Sequence, residues 1–254
     1  MKNLLLCFFV ISFLGSAYGS ITIVSDLDDT IKITNSGREV DSTYNALFTE
    51  NVFTAIPEFL DSARAYTDEL HVVSASPTVI RAKILSTLAK KKIKIDSLTL
   101  RNFLRGESKL IYKVRAIKAI MDQSGDDFIF LGDDVGQDPE VYDELMKLYP
   151  NRVLASYIHV VNGRKLPESV IPYFTTFDLY LREYMAGRMT KAAVEKGVSV
   201  FKAETNPKLI IPDFAQCPKT PAVWYWQAPT IFVSDAMALA AKINRYCLAT
   251  RSGN

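Results

Sequence analysis

A chain of 254 residues is long enough to bury a sizeable hydrophobic core, either as one large domain or as a domain with an appendage. Its content of 48% hydrophobic and 23% charged residues excludes an intrinsically disordered protein. Thirty basic against 28 acidic residues leave a formal charge of +2, so the chain lacks the basic excess that binding to nucleic acid requires.

The first nineteen residues have the pattern of a signal peptide. A short basic start precedes an apolar run at residues 4–14, and Ala17 and Gly19 are the small residues that a signal peptidase recognises. An apolar run of this length is too short to cross a bilayer of about 30 Å as a helix. We expect cleavage before Ser20, export to the periplasm or the medium, and no transmembrane span in the mature chain. An uncleaved membrane anchor is the alternative.

Export changes the interpretation of the cysteines. Once Cys7 is removed, Cys217 and Cys247 remain in a compartment where disulfides persist. They either form a disulfide, which closes a loop of about thirty residues, or remain two buried thiols. We favour the disulfide.

The most informative segment follows the signal sequence. Residues 21–24 are apolar or β-branched and predict a buried strand, and residues 25–30 (SDLDDT) follow at once. Three carboxylates within four positions repel one another at the exit of a core strand, a cost that a divalent cation and a phosphate would offset. An acidic turn that only ends the strand is the alternative.

Strands and helices alternate along the rest of the chain. A short hairpin is expected at residues 31–33 and 38–40, with its turn at residues 35–37. Helices are predicted at 50–66, 78–91 and 109–121, and further strands at 70–74, 95–100, 128–131 and 153–161. This alternation predicts an α/β fold with a Rossmann-like parallel sheet of about five strands and helices on both faces. We expect the main domain at residues 20–190 and a C-terminal extension, 191–254, packed on it.

Polar residues follow three of these strands. In parallel sheets the carboxyl ends of the strands form one edge, where α/β proteins bind ligands. Asp26 there can act as a nucleophile towards phosphorus, and Asp28 as a general acid and then a base. Ser74 can bind a phosphate oxygen, and Asp133 with its neighbours can complete a magnesium site. The sequence therefore predicts phosphoryl transfer at this edge.

Three segments resemble one known family. Residues 25–31 (SDLDDTI), 73–77 (VSASP) and 130–142 (FLGDDVGQDPEVY) resemble the haloacid dehalogenase superfamily. Within it, they are most similar to the phosphatidate phosphatase catalytic domain of a fungal actin-patch protein and its bacterial relatives. The third segment is the most discriminating, because its QDPE sequence is unusual outside this family. The resemblance spans roughly residues 21–190 and implies a haloacid dehalogenase-like core. Predicted core elements fill the gaps between Thr30 and Leu70 and between Ser74 and Lys109, so we expect this core to be capless.

The resemblance also implies roles for individual residues. It makes Asp26 the nucleophile and Asp28 the acid and base, whose backbone carbonyl also ligates the metal. The implied Mg²⁺ ligands are Asp26, Asp28, Asp133 and Asp138, and the implied phosphate ligands are Thr30, Ser74 and Lys113. Lys109, one helical turn earlier, is the alternative to Lys113.

Two positions depart from the family pattern. Asp134 stands where the family usually has serine, which is expected to add a negative charge beside the metal. His159 stands where the family often has arginine, so a cation that faces the substrate is expected to be missing. We interpret His159 itself, and also His71, as structural residues of the predicted strands.

The resemblance implies a Mg²⁺-dependent enzyme that converts phosphatidate to diacylglycerol and phosphate. Superfamily members without caps tend to act on bulky substrates, which fits a lipid at a membrane surface. Residues 224–226 (WYW) can contact such a surface, although closing the core is the interpretation we favour. A phosphatase of soluble or protein phosphomonoesters and an inactive phosphate- or lipid-binding module are the alternatives. The sequence predicts no particular oligomeric state.

Overall fold

The computed structural model describes residues 19–36, 49–218 and 228–251. The expected signal peptide up to residue 18, the second arm of the predicted hairpin and the aromatic residues 224–226 lie outside the described residues. Among the described residues, no helix combines the length and the apolar composition needed to span a membrane.

Six parallel strands form one sheet: β1 Ile21–Ser25, β2 Glu69–Pro77, β3 Ser97–Arg101, β4 Asp127–Asp133, β5 Val153–His159 and β6 Ile171–Tyr173. Their order is β3-β2-β1-β4-β5-β6, which places β1 in the interior between β2 and β4. The predicted α/β class with a parallel sheet is therefore confirmed. Strand β6 was not predicted, because three residues are too few to show an alternating pattern.

The helices in the described part of the chain are α1 Ile56–Ala63, α2 Arg81–Lys90, α3 Lys109–Met121, α4 Asp138–Leu148, α5 Thr176–Met185, α6 Lys191–Ala203 and α7 Val233–Arg251. Helix α3 has the predicted bounds, since Ser108 caps it by accepting a hydrogen bond from Ile111 N. Helix α4 was not assigned from the sequence. It begins inside the segment that carried the family resemblance.

Helix α1 is shorter than predicted because its start is decided by backbone geometry. Ala55 has a left-handed φ of 64°, which cannot continue a helix, and Pro57 lies in the first turn, where its missing N–H is not needed. The residues before it pair with the loop after β1 instead: Ile33 N donates to Asn51 O at 3.0 Å. The first arm of the predicted hairpin therefore pairs with residues 51–53.

Hydrophobic layers cover both faces of the sheet. Side chains alternate along β1, so that Ile21 and Ile23 face a layer with α1, α2, α5, α6 and α7, whereas Val24 faces a layer with α3 and α4. Phe201 of α6 and Leu239 of α7 are buried in the first layer. The described part of the C-terminal residues thus shares the core of the sheet.

A disulfide attaches the end of the chain. Cys217 is bonded to Cys247 of α7, with the two Cα atoms 6.2 Å apart and a sequence separation of 30. A cross-link of this span restricts the unfolded chain, which raises the free energy of unfolding.

Replacing both cysteines, as Cys217→Ala with Cys247→Ala, is expected to lower the free energy of unfolding by about 3–4 kcal/mol, from the entropy of the opened loop. Urea unfolding followed by circular dichroism measures the change. A reducing agent should destabilise the wild type to the same extent and leave the double variant unaffected. A difference of less than about 1 kcal/mol between the two proteins would contradict the prediction.

Candidate active site

The site lies where the carboxyl ends of the central strands meet. Asp26 directly follows β1, Ser74 lies near the end of β2, and Asp133 ends β4. Helices α3 and α4 begin at the same edge and bring Lys113 and Asp138 to it. The order β2-β1-β4 makes these strand ends neighbours, so segments remote in sequence form one cluster.

A buried lysine joins the carboxylates of this cluster. Lys113 Nζ lies 3.1 Å from Asp26 Oδ1 and also pairs with Asp138, and all three side chains are buried. Asp26, Asp133 and Asp138 each offer a carboxylate oxygen within 4.8 Å of the others. With all four groups ionised, three carboxylates and one ammonium leave two negative charges in excess.

The pKa values show the cost of this arrangement. Burial raises the pKa of Asp26 to about 7, although Lys113 acts in the opposite direction. Burial, with the Asp138 and Asp26 charges, raises the pKa of Asp133 well above its ordinary value. Burial alone would lower the pKa of Lys113, but the surrounding carboxylates outweigh it and hold that pKa above its usual range. Strongly shifted groups in one buried cluster are typical of functional sites.

These residues fit a hard divalent cation. Carboxylate oxygens are its preferred ligands, and two positive charges would cancel the excess negative charge of the cluster. Asp26 Oδ1 is buried and accepts no hydrogen bond from a described residue, since its contact with Lys113 is an ion pair without hydrogen-bond geometry. Of the four predicted ligands, the structure brings together Asp26, Asp133 and Asp138. Ligation by the Asp28 carbonyl stays a prediction.

Asp138 is held against β4 by close packing. A Cβ atom at Gly132 would lie 2.7 Å from Asp138 Cβ and 2.8 Å from Tyr142 Cε2, so only glycine leaves room for this approach. Asp133 N donates to Asp138 Oδ2 at 3.3 Å, and Tyr142 donates its hydroxyl to Leu131 O at 2.7 Å. The start of α4 is thereby attached to the end of β4.

Two serines orient Asp28. Its Oδ2 accepts hydrogen bonds from Ser74 Oγ at 3.3 Å and from Ser76 Oγ at 2.7 Å. Ser76 N donates to Ser74 Oγ, and Tyr112 donates its hydroxyl to Ser74 O. Asp28 is therefore separate from the three-carboxylate cluster and lies beside it. Ser76 was not assigned from the sequence, although its spacing of two from Ser74 is the repeat that places strand residues on one face.

Thr30 and the two candidate lysines have different surroundings. Thr30 is buried and donates to Asp133 Oδ2 over a long 3.5 Å, so it borders the cluster, and its contact with phosphate stays a prediction. Lys109 is the exposed first residue of α3 and forms no ion pair with a described residue. The geometry favours Lys113 over Lys109 as the cation of the site.

Asp29, the third acid after β1, faces away from the cluster. It has a left-handed φ of 55°, and its carboxylate accepts hydrogen bonds from the backbone N–H groups of Thr34, Asn35 and Ser36. These three bonds compensate both its buried charge and its backbone strain. Backbone amides therefore stabilise this acid.

Asp134 is not one of the three clustered carboxylates but binds a loop, and its expected effect on the charge beside the metal stays a prediction. Its carboxylate accepts hydrogen bonds from Val161 N and Asn162 N, both at 2.7 Å, and from Gly163 N at 2.6 Å. The loop after β5 folds back over the end of β4, and these hydrogen bonds hold it there. A sequence pattern cannot show which of two adjacent acids turns towards such a loop.

The two histidines occupy structural positions. His159 is buried, with Nδ1 2.7 Å from Asp29 O and its ring 5.0 Å from that of Tyr173. His71 lies near the start of β2, where its ring nitrogens contact Ser97 and Glu69. Neither ring is part of the carboxylate cluster.

The family follows from a match over more than half of the chain. Residues 21–160 match the family described as "Phosphatidate phosphatase APP1, catalytic domain". The chain belongs to this family. The matched segment contains β1 to β5 and every residue of the buried cluster. Membership confirms the resemblance seen in the sequence and places the chain among the phosphoric monoester hydrolases, that is, the phosphatases.

Two solved structures are distantly similar. A chain of the "Pnkp1/Rnl/Hen1 complex" is 18% identical, with a TM-score of 0.41 over 62% of this chain and 47% of its own. The present chain therefore spans about half the length of that one. A class C acid phosphatase from Bacillus anthracis with tungstate bound is 12% identical, with a TM-score of 0.36 over 75% of this chain and 82% of its own. No curated protein sequence matches this chain.

Removing the buried ammonium group should make the metal-free protein less stable. Lys113→Met leaves the buried carboxylates without their cation, so the free energy of unfolding should fall by about 3–5 kcal/mol. The matched change Lys109→Met, at an exposed position on the same helix, should cost less than about 0.5 kcal/mol. Urea unfolding in EDTA at pH 8 compares them. Equal stability of the two variants would contradict the placement of Lys113 in the cluster.

Proposed function

We propose that this chain is an exported, Mg²⁺-dependent phosphatase that converts phosphatidate to diacylglycerol and phosphate through an aspartyl-phosphate on Asp26. The observation that carries the proposal is the buried cluster at the end of β1, in which Lys113 joins Asp26 to Asp138. Asp28 lies beside this cluster, held by Ser74 and Ser76.

In the first step, a carboxylate oxygen of Asp26 attacks the phosphorus atom. An Asp–O–P bond forms while the bond from phosphorus to the glycerol oxygen breaks. Asp28, protonated at this stage, gives its proton to the leaving oxygen, and diacylglycerol departs. The hydrogen bonds from Ser74 and Ser76 hold Asp28 in place for that transfer.

In the second step, the roles of Asp28 reverse. Its carboxylate takes a proton from water as the water oxygen attacks phosphorus, and the bond from phosphorus to Asp26 breaks. Inorganic phosphate leaves, Asp26 is again a free carboxylate, and Asp28 is again protonated. Both carboxyl groups of the enzyme thus return to their initial states, and one water molecule is consumed.

Charge neutralisation makes this attack feasible. Lys113, which pairs with Asp26, would also bind a phosphate oxygen, and Ser74 and Thr30 would supply hydroxyl groups near the same edge. Mg²⁺, when bound by Asp26, Asp133 and Asp138, would supply positive charge for the phosphate oxygens. Because the fully ionised cluster has two excess negative charges, it would otherwise repel the phosphate.

In the part of the chain that the structure describes, no further domain covers the sheet edge, which supports the choice of a lipid substrate. In the described residues, the connection from β1 to β2 contains α1 and that from β2 to β3 contains α2, and both helices pack on the sheet. A head group at a bilayer surface can approach such an edge directly. Export is supported by the signal-like N-terminus and by the disulfide between Cys217 and Cys247, a bond typical of oxidising compartments.

The substrate is tested by phosphate release from phosphatidate vesicles and from a panel of soluble phosphomonoesters, each with Mg²⁺ or with EDTA. Metal-dependent release mainly from vesicles is the expected result. Release mainly from soluble compounds would retain the mechanism and reject the lipid. No release from any compound, with metal shown to bind, would favour a binding module.

Asp26→Asn should lower kcat about 10⁴-fold or more, because an amide cannot form the acyl phosphate. Asp61→Asn, an exposed change on α1, is the matched control and should retain wild-type turnover. Circular dichroism verifies that both variants are folded. A folded Asp26→Asn protein with wild-type turnover would rule out Asp26 as the nucleophile.

Mg²⁺ should stabilise the wild type against unfolding by about 2.7 kcal/mol at a hundredfold excess over its Kd. Asp133→Asn should lose this gain, while Asp134→Asn should keep it, since Asp134 binds backbone amides instead. Thermal unfolding with and without Mg²⁺ measures both. If Mg²⁺ stabilised Asp133→Asn as much as the wild type, the cation would have to bind elsewhere.

A further inference from the structure

Exposed apolar side chains lie at the sheet edge that carries the site. Val79 follows β2 and is 85% exposed, while Phe103 and Leu104 follow β3 and are 55% and 95% exposed. Strands β2 and β3 are paired, with Pro77 opposite Arg101, so the segments that follow them are neighbours. We call this region the edge surface; it consists of Val79, Phe103, Leu104, Arg105 and Lys109.

The turn that displays Leu104 is held in place by hydrogen bonds. The Asn102 side chain accepts a hydrogen bond from Leu104 N at 3.0 Å, and Gly106 closes the turn with a φ of 64°. The Arg101 guanidinium lies 4.9 Å from the centre of the Phe103 ring and donates to Glu107 O. An ordered turn that presents large apolar side chains to water indicates a surface that is covered in use.

Cations predominate at the edge surface. The segment from the end of β3 to the start of α3 contains Arg101, Arg105 and Lys109, and its one acid, Glu107, pairs with Arg115. Arg105 and Lys109 are exposed, and neither forms an ion pair with a described residue. Apolar side chains beside cations match the anionic head groups and acyl chains of a membrane surface.

The edge surface borders the site. Ser76, which binds Asp28, precedes Val79 by three residues, and Lys109 precedes Lys113 by one helical turn. A membrane that contacts the edge surface would therefore bring its head groups next to Asp26 and Asp28.

We propose that the edge surface binds an anionic lipid bilayer. Val79, Phe103 and Leu104 insert between head groups, Arg105 and Lys109 contact lipid phosphates, and the site is held at the interface. The inference rests on the proposed action on a lipid and extends it to a docking surface outside the catalytic cluster.

The test measures binding without turnover. Flotation with vesicles of phosphatidylcholine and phosphatidylglycerol, free of phosphatidate, compares variants that carry the same N-terminus as the wild type. Leu104→Ser should weaken binding about tenfold, because an apolar side chain no longer leaves water. Arg105→Gln should weaken it about fivefold, and only at low salt.

Leu148→Ser is the matched control, since Leu148 is 53% exposed at the end of α4 on the opposite edge of the sheet. It should bind as the wild type does. Val79→Ser provides a second apolar change and should weaken binding in the same direction as Leu104→Ser. All four variants should hydrolyse a soluble aryl phosphate at the wild-type rate, which shows that the site is intact.

Equal binding of the wild type, Leu104→Ser and Val79→Ser would overturn the inference, as would an equal loss in Leu148→Ser. Self-association that is lost in Leu104→Ser, without vesicle binding by the wild type, would also overturn it in favour of contact between copies. If binding depends on Leu104 and Arg105 but phosphatidate is not hydrolysed, the docking surface stands and the proposed substrate fails. If phosphatidate is hydrolysed but all variants bind vesicles equally, the proposed substrate stands and the docking surface fails.

Discussion

The structure depends on one buried ammonium group placed among three buried carboxylates. Each carboxylate alone would be costly so far from water, and removing the lysine would leave all of them unpaired. Lys113 is held between Asp26 and Asp138, yet a single cation cannot balance the whole cluster. Burial, together with the neighbouring carboxylates, raises the pKa values of Asp26 and Asp133. The fold thus tolerates an electrostatic cost at the place where the proposed chemistry needs a cation and a phosphate.

The remaining acids of the two acidic segments, which follow β1 and end β4, have a different role. Asp29 and Asp134 adjoin the acids of the site, but their carboxylates bind backbone N–H groups of loops that fold back over the strand ends. His159, at the end of β5, contacts Asp29 O. Each acidic sequence segment therefore serves two purposes, since part of it forms the proposed reaction centre and part orders a neighbouring loop.

The geometry of the parallel sheet links the site to its surroundings. All strands point the same way, so the carboxylate cluster, the serines that orient Asp28 and the exposed turns after β2 and β3 share one edge. Apolar layers on both faces leave this edge as the natural place for polar groups. Reaction centre and proposed docking surface are consequently adjacent, which fits a substrate that stays in a bilayer until it is cleaved.

The sequence by itself determined the α/β class, the edge at which the site forms and the family, because strand periodicity and the residues that follow each strand are local patterns. It also determined the bounds of α3, whose cap and period are local. Only the tertiary structure showed that Lys113, and not Lys109 one turn earlier on α3, joins the carboxylate cluster, since packing of the helix on the sheet selects the side chain that points inward. The partners of Asp29 and Asp134 were also decided by the tertiary structure, because they come from loops that the sequence does not place. The start of α1 was decided in the same way, because it depends on the left-handed backbone of Ala55. These features arise from contacts between distant segments, and no local pattern encodes them.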